Sequence, residues 1–407
     1  MNRALIPIFL IVLVDVFGLT LVLPLQAIYA EHLGASPLQA TLLVSVFAVC
    51  QLVASPLLGS WSDRIGRKSV LLFSQVGAVF GYLTMASATS LWLIYVARVI
   101  QGTTAGNLSI AQAFIADNSE AKDRAKSFAI IGVAFGLGFF IGPAVTGVLV
   151  RYGLAAPIYV AAGLSMLSVV CTSVLLPGGV RMRAQTPDAA LPGGKRLSLL
   201  EWRAYAAYFD RPVLAAMLLQ FLFYSMCFSV FTSGFSLYAE RRYTYDGHPF
   251  TPREIGYMFA YSGFLGLILQ GGLIGRLVKR FGERGLVLAG FSSLVIGFGI
   301  IAGTSTLVGL AVASTIAAFG NAVLRPTLSS LISQSAARHE QGTVIGLTQS
   351  LQSVAQIVAP FFAGLLLERH LLWQWGAMAS VAALLGLWMS RQGSQRAVSA
   401  AQELAKD

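Results

Sequence analysis

The sequence GSWSDRIGRK, residues 59–68, decides the fold, because it concentrates four charges between two long apolar runs. A second sequence, GRLVKRFGER at residues 275–284, repeats its spacing 216 positions later and also separates two apolar runs. The aligned pairs are Gly59 and Gly275, Arg64 and Arg280, and Gly66 and Gly282. A repeat at a fixed offset predicts two related halves.

The composition identifies the class of protein. Of the 407 residues, 56% are hydrophobic and only 11% are charged, whereas soluble domains average about 25% charged residues. Apolar runs of about 20 residues, the length that crosses a hydrocarbon core of roughly 30 Å, recur along the chain. We predict an all-α polytopic membrane protein with twelve transmembrane helices in two pseudo-symmetric six-helix halves. The predicted spans are residues 5–27, 38–58, 69–88, 91–115, 127–149, 157–176, 213–237, 253–274, 285–303, 306–330, 342–366 and 371–390.

The first apolar run has the hydrophobicity of a signal peptide. It lacks a clear small-residue cleavage site and contains Asp15 near its middle, so we interpret it as the first span. The three cysteines, Cys50, Cys171 and Cys227, all lie inside apolar runs, which argues against a disulfide framework. No spacing of ligand residues predicts a metal site.

Lysine and arginine are unequally distributed between the two sides of this topology. With the N-terminus inside, 21 of the 28 basic residues lie on the cytoplasmic side and five on the outer side. The remaining two, Arg98 and Arg325, lie within spans. The positive-inside rule therefore predicts that both termini are cytoplasmic. This asymmetry, which reflects the orientation of the chain in the lipid bilayer, accounts for the net charge of +11. No nucleic-acid partner is therefore expected.

A long polar connection divides the chain between spans six and seven. Residues 177–211 are rich in Pro, Gly and charged residues, which predicts a cytoplasmic linker. Within it, residues 197–209 fit either a helix on the inner membrane surface or a short helix packed under the bundle. The predicted organisation is an N-terminal six-helix half at 1–176, the linker at 177–211, a C-terminal six-helix half at 212–391 and a cytoplasmic tail at 392–407.

The ends of spans five and eleven extend the repeat. The sequence IGPAVTG at 141–147 aligns with VAPFFAG at 358–364, which pairs Pro143 with Pro360 and Gly147 with Gly364 at an offset of 217. Duplicated halves around a central linker are typical of secondary transporters.

Several further motifs lie in particular spans. RVIQG occupies residues 98–102 in span four, GLGFFIGPAVTG residues 136–147 in span five, and DVFGLTLVLP residues 15–24 in span one. With residues 59–68, these motifs make nearly the whole chain resemble the major facilitator superfamily, and within it the twelve-span drug:proton antiporters. AFIADNSEAKDRAKSF at 113–128 is similar to the tetracycline exporter branch. The resemblance implies a multi-pass protein of the bacterial inner (plasma) membrane, and we expect a monomer.

The resemblance implies that the loop at residues 59–68 is part of a cytoplasmic gate, which latches the two halves while the transporter faces outward. Asp63 could pair with Arg67, and Arg67 with Asp117 at the inner end of span four. Lys279 stands in the second copy where the first has Asp63, so we expect an asymmetric latch. Positive-inside anchoring is the alternative, and it explains the basic residues but not Asp63. The predicted gate residues are Gly59, Asp63, Arg64, Gly66, Arg67 and Asp117.

Glycines give span five a face of small residues, which permits close contact between helices. The resemblance assigns this face to the rocking movement of an antiporter, and ordinary packing of membrane helices is the alternative. The predicted antiporter-motif residues are Gly138, Gly142, Pro143 and Gly147.

Asp15 lies near the centre of a predicted span, whereas the other 16 acidic residues fall in loops, at span ends or in the tail. A charge at mid-bilayer costs about 2.5–3.5 kcal/mol on insertion scales, so it normally faces a cavity and has a partner. We hypothesise that Asp15 is the proton-coupling site, with Arg98 of span four as its partner. A static structural ion pair is the alternative. The proton gradient is then the energy source, and no cofactor is expected.

The substrate cavity is predicted from polar and aromatic residues within spans. Arg325 lies one residue before Pro326 in span ten. It either faces the cavity, favouring anionic or electron-rich substrates, or snorkels toward the inner surface. Tetracycline exporters carry acidic residues in spans three and nine, where this chain aligns Gly81, Ser292 and Ser293, which argues against a cationic tetracycline–metal chelate. The other cavity candidates are Gln26, Gln51, Gln112, Gln220, Tyr224, Phe228, Gln349 and Gln356.

The predicted function is a proton-coupled secondary active exporter, an antiporter of small amphipathic organic compounds or drugs that works by alternating access. The alternatives are an exporter of an organic anion, siderophore or lipid-like metabolite, and a proton-independent or symport transporter of a metabolite. All four histidines lie in loops or at span ends, and Asp15 has no acidic neighbour, so an embedded enzyme is not expected. No nucleotide-binding loop indicates ATP coupling.

Overall fold

The computed structural model describes residues 5–117, 124–176, 208–336 and 340–404, which are almost entirely helical. The helices are α1 (Leu5–Val22), α2 (Gln26–His32), α3 (Pro37–Ile65), α4 (Arg67–Ala86), α5 (Leu91–Thr103), α6 (Asn107–Asp117), α7 (Arg124–Leu149), α8 (Ala156–Leu175), α9 (Pro212–Arg242), α10 (Pro252–Ile268), α11 (Ile274–Gly303), α12 (Leu307–Gln334), α13 (Gln341–Glu368) and α14 (Leu372–Leu404). A 3₁₀ turn (Val150–Tyr152) follows α7, and a π-helical turn (Leu269–Leu273) joins α10 to α11. A two-stranded antiparallel hairpin, β1 (Thr244–Tyr245) and β2 (His248–Pro249), follows α9.

Each predicted span has a helical counterpart, with two breaks and one fusion. Within the described ranges, nine helices are long and apolar enough to cross a membrane, or ten if α1 and α2 form one bent span. Spans eight and nine run together as one helical segment, Pro252–Gly303. Span four is divided into α5 and α6, each too short to cross alone. The predicted helix at 197–209 lies outside the described residues, apart from its last two positions.

Large apolar side chains lie on the outward faces of these helices. Phe80, Trp92 and Trp388 are exposed, whereas polar groups such as Gln75 and Ser168 are fully buried. Lipid can solvate apolar side chains but not polar groups, so this inverted pattern is the one expected of a membrane helix bundle.

Two of the spans are broken inside the apolar region. Span one bends by 42° between α1 and α2, around Pro24. Pro24 lacks a backbone N–H and cannot continue the helical hydrogen-bond ladder. Span four breaks between Thr103 and Asn107, and the amide of Ile110 bonds to the carbonyl of Gly106 to start the new helix. Discontinuous helices of this kind place polar groups within the membrane in transporters.

Both copies of the charged turn contain a glycine with a positive φ angle at the aligned position. Gly66 joins α3 to α4 with φ +102°, and Gly282 interrupts α11 with φ +69°. Residues with a Cβ rarely adopt these angles, so glycine is required at both positions. The structure therefore confirms, at the level of the backbone, the repeat predicted from the sequence.

The described chain forms two compact units. Among the described residues, the first contains 5–117, 124–176, 232–267 and 360–369, and the second contains 208–231, 268–336, 340–359 and 370–404. In the first, α1 packs against α7 and α8, while α4 packs against α5 and α8. In the second, α11 packs against α12 and α14. These units do not coincide with the predicted halves at 1–176 and 212–391, and the division into halves stays a prediction.

Candidate functional site

Asp15 lies in the first unit, on α1, where its side chain is half-buried. Its carboxyl group is hydrogen-bonded to the side chains of Ser168 on α8, Gln75 on α4 and Asn107 on α6. Gln75 Nε2 also donates to Ser168 Oγ at 2.7 Å. Three neutral side chains from three different spans therefore surround the central carboxyl group. We call these four residues the Asp15 site.

The break in span four positions Asn107 in the Asp15 site. Asn107 is the first residue of α6, so the start of this helix lies at the depth of Asp15. The preceding residue, Gly106, packs so closely on α4 that a Cβ would lie 2.9 Å from Ser74 Oγ. Close packing on α4 therefore fixes the place where α6 begins.

Arg98 is buried at a different depth in the same unit. Its Nη1 donates to Gln101 Oε1 at 2.8 Å, and its Nη2 donates to Gln26 Oε1. Gln26 is the first residue of α2, directly after the break in span one. Arg98 therefore connects span four to the broken span one through neutral amides.

The structure does not bring Asp15 and Arg98 together, because the described contacts of each go to other residues, and their joint role in proton coupling stays a prediction. The reason is their depth. Gln26 is eleven residues from Asp15 along span one, which is about 16 Å at 1.5 Å per residue. Arg98 contacts Gln26 at one end of this distance. Asn107 lies nine residues further along span four and contacts Asp15 at the other end. Tyr82 lies within electrostatic range of both charges.

The charged turn at residues 59–68 forms the ion pair that the sequence predicted. Arg67 Nη1 lies 2.6 Å from Asp63 Oδ1 and also donates to Ser62 Oγ at 2.9 Å. Arg67 is 9% exposed and Asp63 20%, so this pair is largely shielded from water. Gly59 is half-buried and Arg64 is exposed. The side chain of Asp117, the third predicted member, lies outside the described part of the structure.

Lys68 has a role that sequence reasoning missed. Its Nζ donates to the carbonyl oxygens of Ser173 at 2.7 Å and Leu176 at 2.6 Å, at the end of α8. A cation that caps the last carbonyls of a helix compensates the negative end of the helix dipole. Lys68 thus joins span three to span six, in addition to satisfying the positive-inside rule.

The antiporter-motif residues of span five face two different helices. Toward α1, Gly138 and Gly142 leave room for Val16 and Thr20, and Thr20 Oγ1 donates to the carbonyl of Gly138 at 2.9 Å. Toward α10, a Cβ on Gly256 would lie 2.7 Å from the carbonyl oxygen of Pro143. Span five is therefore packed between spans one and eight.

Gly147 and Gly364, which the repeat aligns, both lie at helix crossings in the first unit. The Gly147 position faces the carbonyl of Arg253 at 3.0 Å, at the start of α10. The Gly364 position, on α13, faces the Cα of Leu38 at 2.8 Å, on α3. The repeat thus produces two similar crossings, between spans five and eight and between spans eleven and two.

Polar contacts join the spans at the predicted outer side of the first unit. Arg241 Nη2 lies 2.7 Å from Glu31 Oε1. Glu368 Oε2 accepts hydrogen bonds from Ser36 Oγ at 3.1 Å and from the backbone N–H of Leu38 at 3.3 Å. The Glu368 carboxylate thus lies at the positive end of α3, where its charge is stabilised.

One exposed ion pair lies at the predicted cytoplasmic side of the second unit. Both terminal nitrogens of Arg211 lie 2.8 Å from the Glu340 carboxylate oxygens. The hydrogen bonds and charge of Glu340 raise the pKa of the Arg211 guanidinium. Arg211 is therefore charged throughout the working pH range.

The predicted cavity residues are divided between the two units. Gln26, Gln51 and Gln112 belong to the first. In the second, Tyr224 and Phe228 stack with ring centroids 6.3 Å apart, and Arg325 lies within electrostatic range of Tyr224. The other three in the second unit are Gln220, which is buried, Gln349, which is exposed, and Gln356, which is half-buried. In the described part of the chain, no three His, Cys, Asp or Glu side chains could hold a metal ion together.

The chain matches known proteins along most of its length. It is 28% identical over 362 residues to the class C tetracycline resistance protein of Escherichia coli, covering 88% of each chain. It is 24% identical to multidrug resistance protein 2 of Bacillus subtilis (strain 168), covering 89% of this chain and 90% of the other. Among solved structures, the human organic anion transporter MFSD10 (TETRAN) superposes with a TM-score of 0.70 at 24% identity, covering 96% of this chain and 99% of that one.

The sequence model of the Major Facilitator Superfamily matches residues 8–360, and a second match covers residues 248–404. This match, the all-helical fold and the similarity to tetracycline resistance proteins confirm the family resemblance of the sequence motifs. Proteins of this superfamily are membrane transporters and not enzymes. The chain belongs to the major facilitator superfamily.

Proposed function

We propose that the protein is a proton-coupled antiporter that exports small amphipathic organic compounds from the cytoplasm by alternating access. In this proposal the protein is a monomer in the inner membrane, both termini are cytoplasmic, and the proton gradient supplies the energy. The names of the relatives, which are tetracycline and multidrug resistance proteins, support the export of drug-like compounds.

The observation that carries the proton coupling is the neutral surrounding of Asp15. Ser168, Gln75 and Asn107 donate to its carboxyl group, and its described neighbours include no paired cation. Breaking a buried ion pair by neutralising one partner costs roughly 3–5 kcal/mol, because a bare charge is left behind. Protonating a carboxylate held by neutral donors leaves no such charge. The Asp15 site is therefore suited to reversible protonation, and the alternative of a static ion pair is less well supported.

The three donors come from three different spans, so a relative movement of these spans changes the hydrogen bonds to Asp15. Hydrogen bonds to a carboxylate favour its charged form. A movement of α4, α6 or α8 that withdraws these donors favours proton uptake, and their return favours proton release. Substrate transport is then coupled to proton transport if the substrate-loaded protein changes conformation in only one protonation state of Asp15.

The test is a measurement of internal pH in liposomes that contain the purified protein. A panel of amphipathic drugs, organic anions and metabolites is added, and a pH-sensitive dye reports proton movement. We expect certain compounds to drive proton movement in the wild-type protein and none to do so in Asp15→Asn. Asp246→Asn is the matched control, because Asp246 is an exposed residue of the hairpin loop. Proton-independent substrate flux would contradict the antiporter proposal.

A second candidate, an exporter of organic anions, is favoured by Arg325 on α12. Its guanidinium lies within electrostatic range of the Tyr224 hydroxyl, and Tyr224 stacks on Phe228, so a cation is combined with an aromatic pair in this unit. This combination suits an amphipathic anion. We expect Arg325→Gln to reduce transport of acidic compounds about tenfold, the equivalent of 1.4 kcal/mol, while transport of neutral compounds is unchanged. An unaltered substrate profile would remove Arg325 from the substrate site.

A further inference from the structure

A cavity of about 340 Å³ lies in the first unit, where α7 ends and α10 begins. Its walls are formed by the end of α7, the 3₁₀ turn and the first turn of α10. The volume is at the lower end of the range of ligand sites, roughly 300–1,000 Å³. The cavity is therefore the size of a headgroup rather than of a large drug.

Two arginines line this cavity. Arg151 and Arg253 both contribute to its wall, and both side chains are exposed. Only five of the 28 basic residues lie on the predicted outer side. Two of these five, Arg151 and Arg253, line the same small cavity. Positive charge is normally depleted on this side of a membrane protein. Concentrating two of these few cations around one cavity indicates an anionic ligand.

A carboxylate that interacts electrostatically with Arg253 is already engaged. Glu254 Oε2 accepts a hydrogen bond from the backbone N–H of Thr251 at 2.9 Å and another from the Thr251 hydroxyl. Glu254 thus caps the start of α10 and is not among the residues that line the cavity. The guanidiniums themselves lie over aromatic rings, Arg151 4.9 Å from the Tyr152 centroid and Arg253 5.8 Å from the Tyr257 centroid. These contacts leave the donor groups of Arg151 available for a ligand, while Arg253 also hydrogen-bonds to Tyr257 with part of its guanidinium.

Apart from Thr251, the rest of the wall is apolar and partly exposed. Val148 and Tyr257 are both 42% exposed, and Val150 and Leu154 continue the apolar surface. Tyr152 is 70% exposed beside them, as aromatic residues are at a membrane–water interface. A ligand that fits cations at the interface and an apolar surface below it has a charged head and a hydrocarbon tail.

The geometry points to a binding site for the phosphate headgroup of an anionic phospholipid at this cavity, with Arg151 and Arg253 as its ligands. The headgroup bridges the end of span five and the start of span eight. The Gly147 position faces the Tyr257 ring at 3.0 Å at this crossing, so the bound lipid stabilises the contact between the two spans. This inference is independent of the proposed transport cycle, because binding is measured without a substrate.

The test is lipid binding to the purified full-length protein in detergent. Phosphatidylglycerol is titrated while native mass spectrometry counts bound lipid and tryptophan fluorescence reports the unfolding temperature. We expect saturable binding that raises the unfolding temperature, whereas phosphatidylcholine and inorganic phosphate have little effect. Arg151→Gln should weaken binding roughly fivefold and the double variant with Arg253→Gln about twenty-five-fold. Arg369→Gln, at an exposed outer arginine away from the cavity, should bind as the wild type does.

Two results would overturn the inference. Equal binding of phosphatidylglycerol by the wild type and the double variant would show that the arginines do not hold the headgroup. The same stabilisation by inorganic phosphate alone would show a simple anion site. Arg253 also hydrogen-bonds to Tyr257, so its replacement could disturb α10. Arg151→Gln alone, tested by mass spectrometry, then decides the question.

Discussion

The two copies of the charged turn share a backbone but hold different contacts. Gly66 and Gly282 both have positive φ angles. Around Gly66, the buried pair of Asp63 and Arg67 forms. Next to Gly282, Glu283 Oε1 instead accepts a hydrogen bond at 2.6 Å from Ser330 Oγ, on α12. The two copies therefore both keep the glycine that the backbone conformation requires, while their charged side chains make different contacts.

The same distinction extends to the interior of the membrane. The helix crossings at Gly147 and Gly364 are similar in the two repeats, as their aligned sequences predict. The charges within the predicted spans are not similar, since the first repeat contains Asp15 and Arg98 and the second contains Arg325. Substitutions that disturb the backbone should thus act alike in both repeats, and substitutions of charged side chains should act unequally.

The largest effect is expected at the helix crossings. We expect Gly256→Leu and Gly364→Leu to reduce the yield of monodisperse protein severely, because a side chain at either position meets backbone atoms within 2.8 Å. Overpacking typically costs about 1–3 kcal/mol and more where backbones must separate. Gly266→Leu and Gly346→Leu are the matched controls, since their surroundings are open. Size-exclusion chromatography measures the yield, and equal losses in all four variants would contradict the account.

A smaller and equal effect is expected at the two turns. Gly66→Ala and Gly282→Ala should each destabilise the protein by about 1–2 kcal/mol, because an L-residue is strained at positive φ. Gly59 and Gly275 lie in the helices beside these turns, without positive φ and with open surroundings, so Gly59→Ala and Gly275→Ala should not destabilise the protein. Thermal unfolding in detergent compares the four. Destabilisation by only one of these two substitutions would contradict the structural equivalence of the two turns.

The charged residues of the turns should differ from each other in transport. We expect Asp63→Asn to slow transport about tenfold, because the largely buried Arg67 then loses the charge of Asp63, at a cost of about 1–3 kcal/mol. Lys279→Met, at the aligned and exposed position of the second copy, should stay within about twofold of the wild type. Initial rates of substrate flux in liposomes measure both. Equal slowing would mean that the latch is symmetric.

The sequence predicted the membrane class, the family, the duplicated turn and the Asp63–Arg67 pair, because each depends on composition or on residues a few positions apart. The contacts of Arg98 could not be predicted in this way. They depend on the breaks in spans one and four, and hydropathy does not detect a broken helix within an apolar run. Pro24 and Gly106 were the available signals for these breaks.

Contacts between residues far apart in the chain could not be predicted from the sequence either. Arg241 and Glu31 are 210 positions apart, and Lys68 meets the end of α8 more than a hundred positions away. Each residue taken alone fits the positive-inside pattern or a helix end. Only the packed fold shows that the first pair joins spans one and seven, and that Lys68 joins spans three and six.

The most direct test of the central claim is to separate substrate exchange from proton coupling in the Asp15→Asn protein. Liposomes are loaded with unlabelled substrate, and the uptake of labelled substrate by exchange is measured beside substrate-driven proton movement. The account predicts that exchange persists, because the amide can keep the packing of the Asp15 site, while proton movement is lost. Proton movement that persists at the wild-type ratio to substrate would contradict the assignment of Asp15 as the coupling residue.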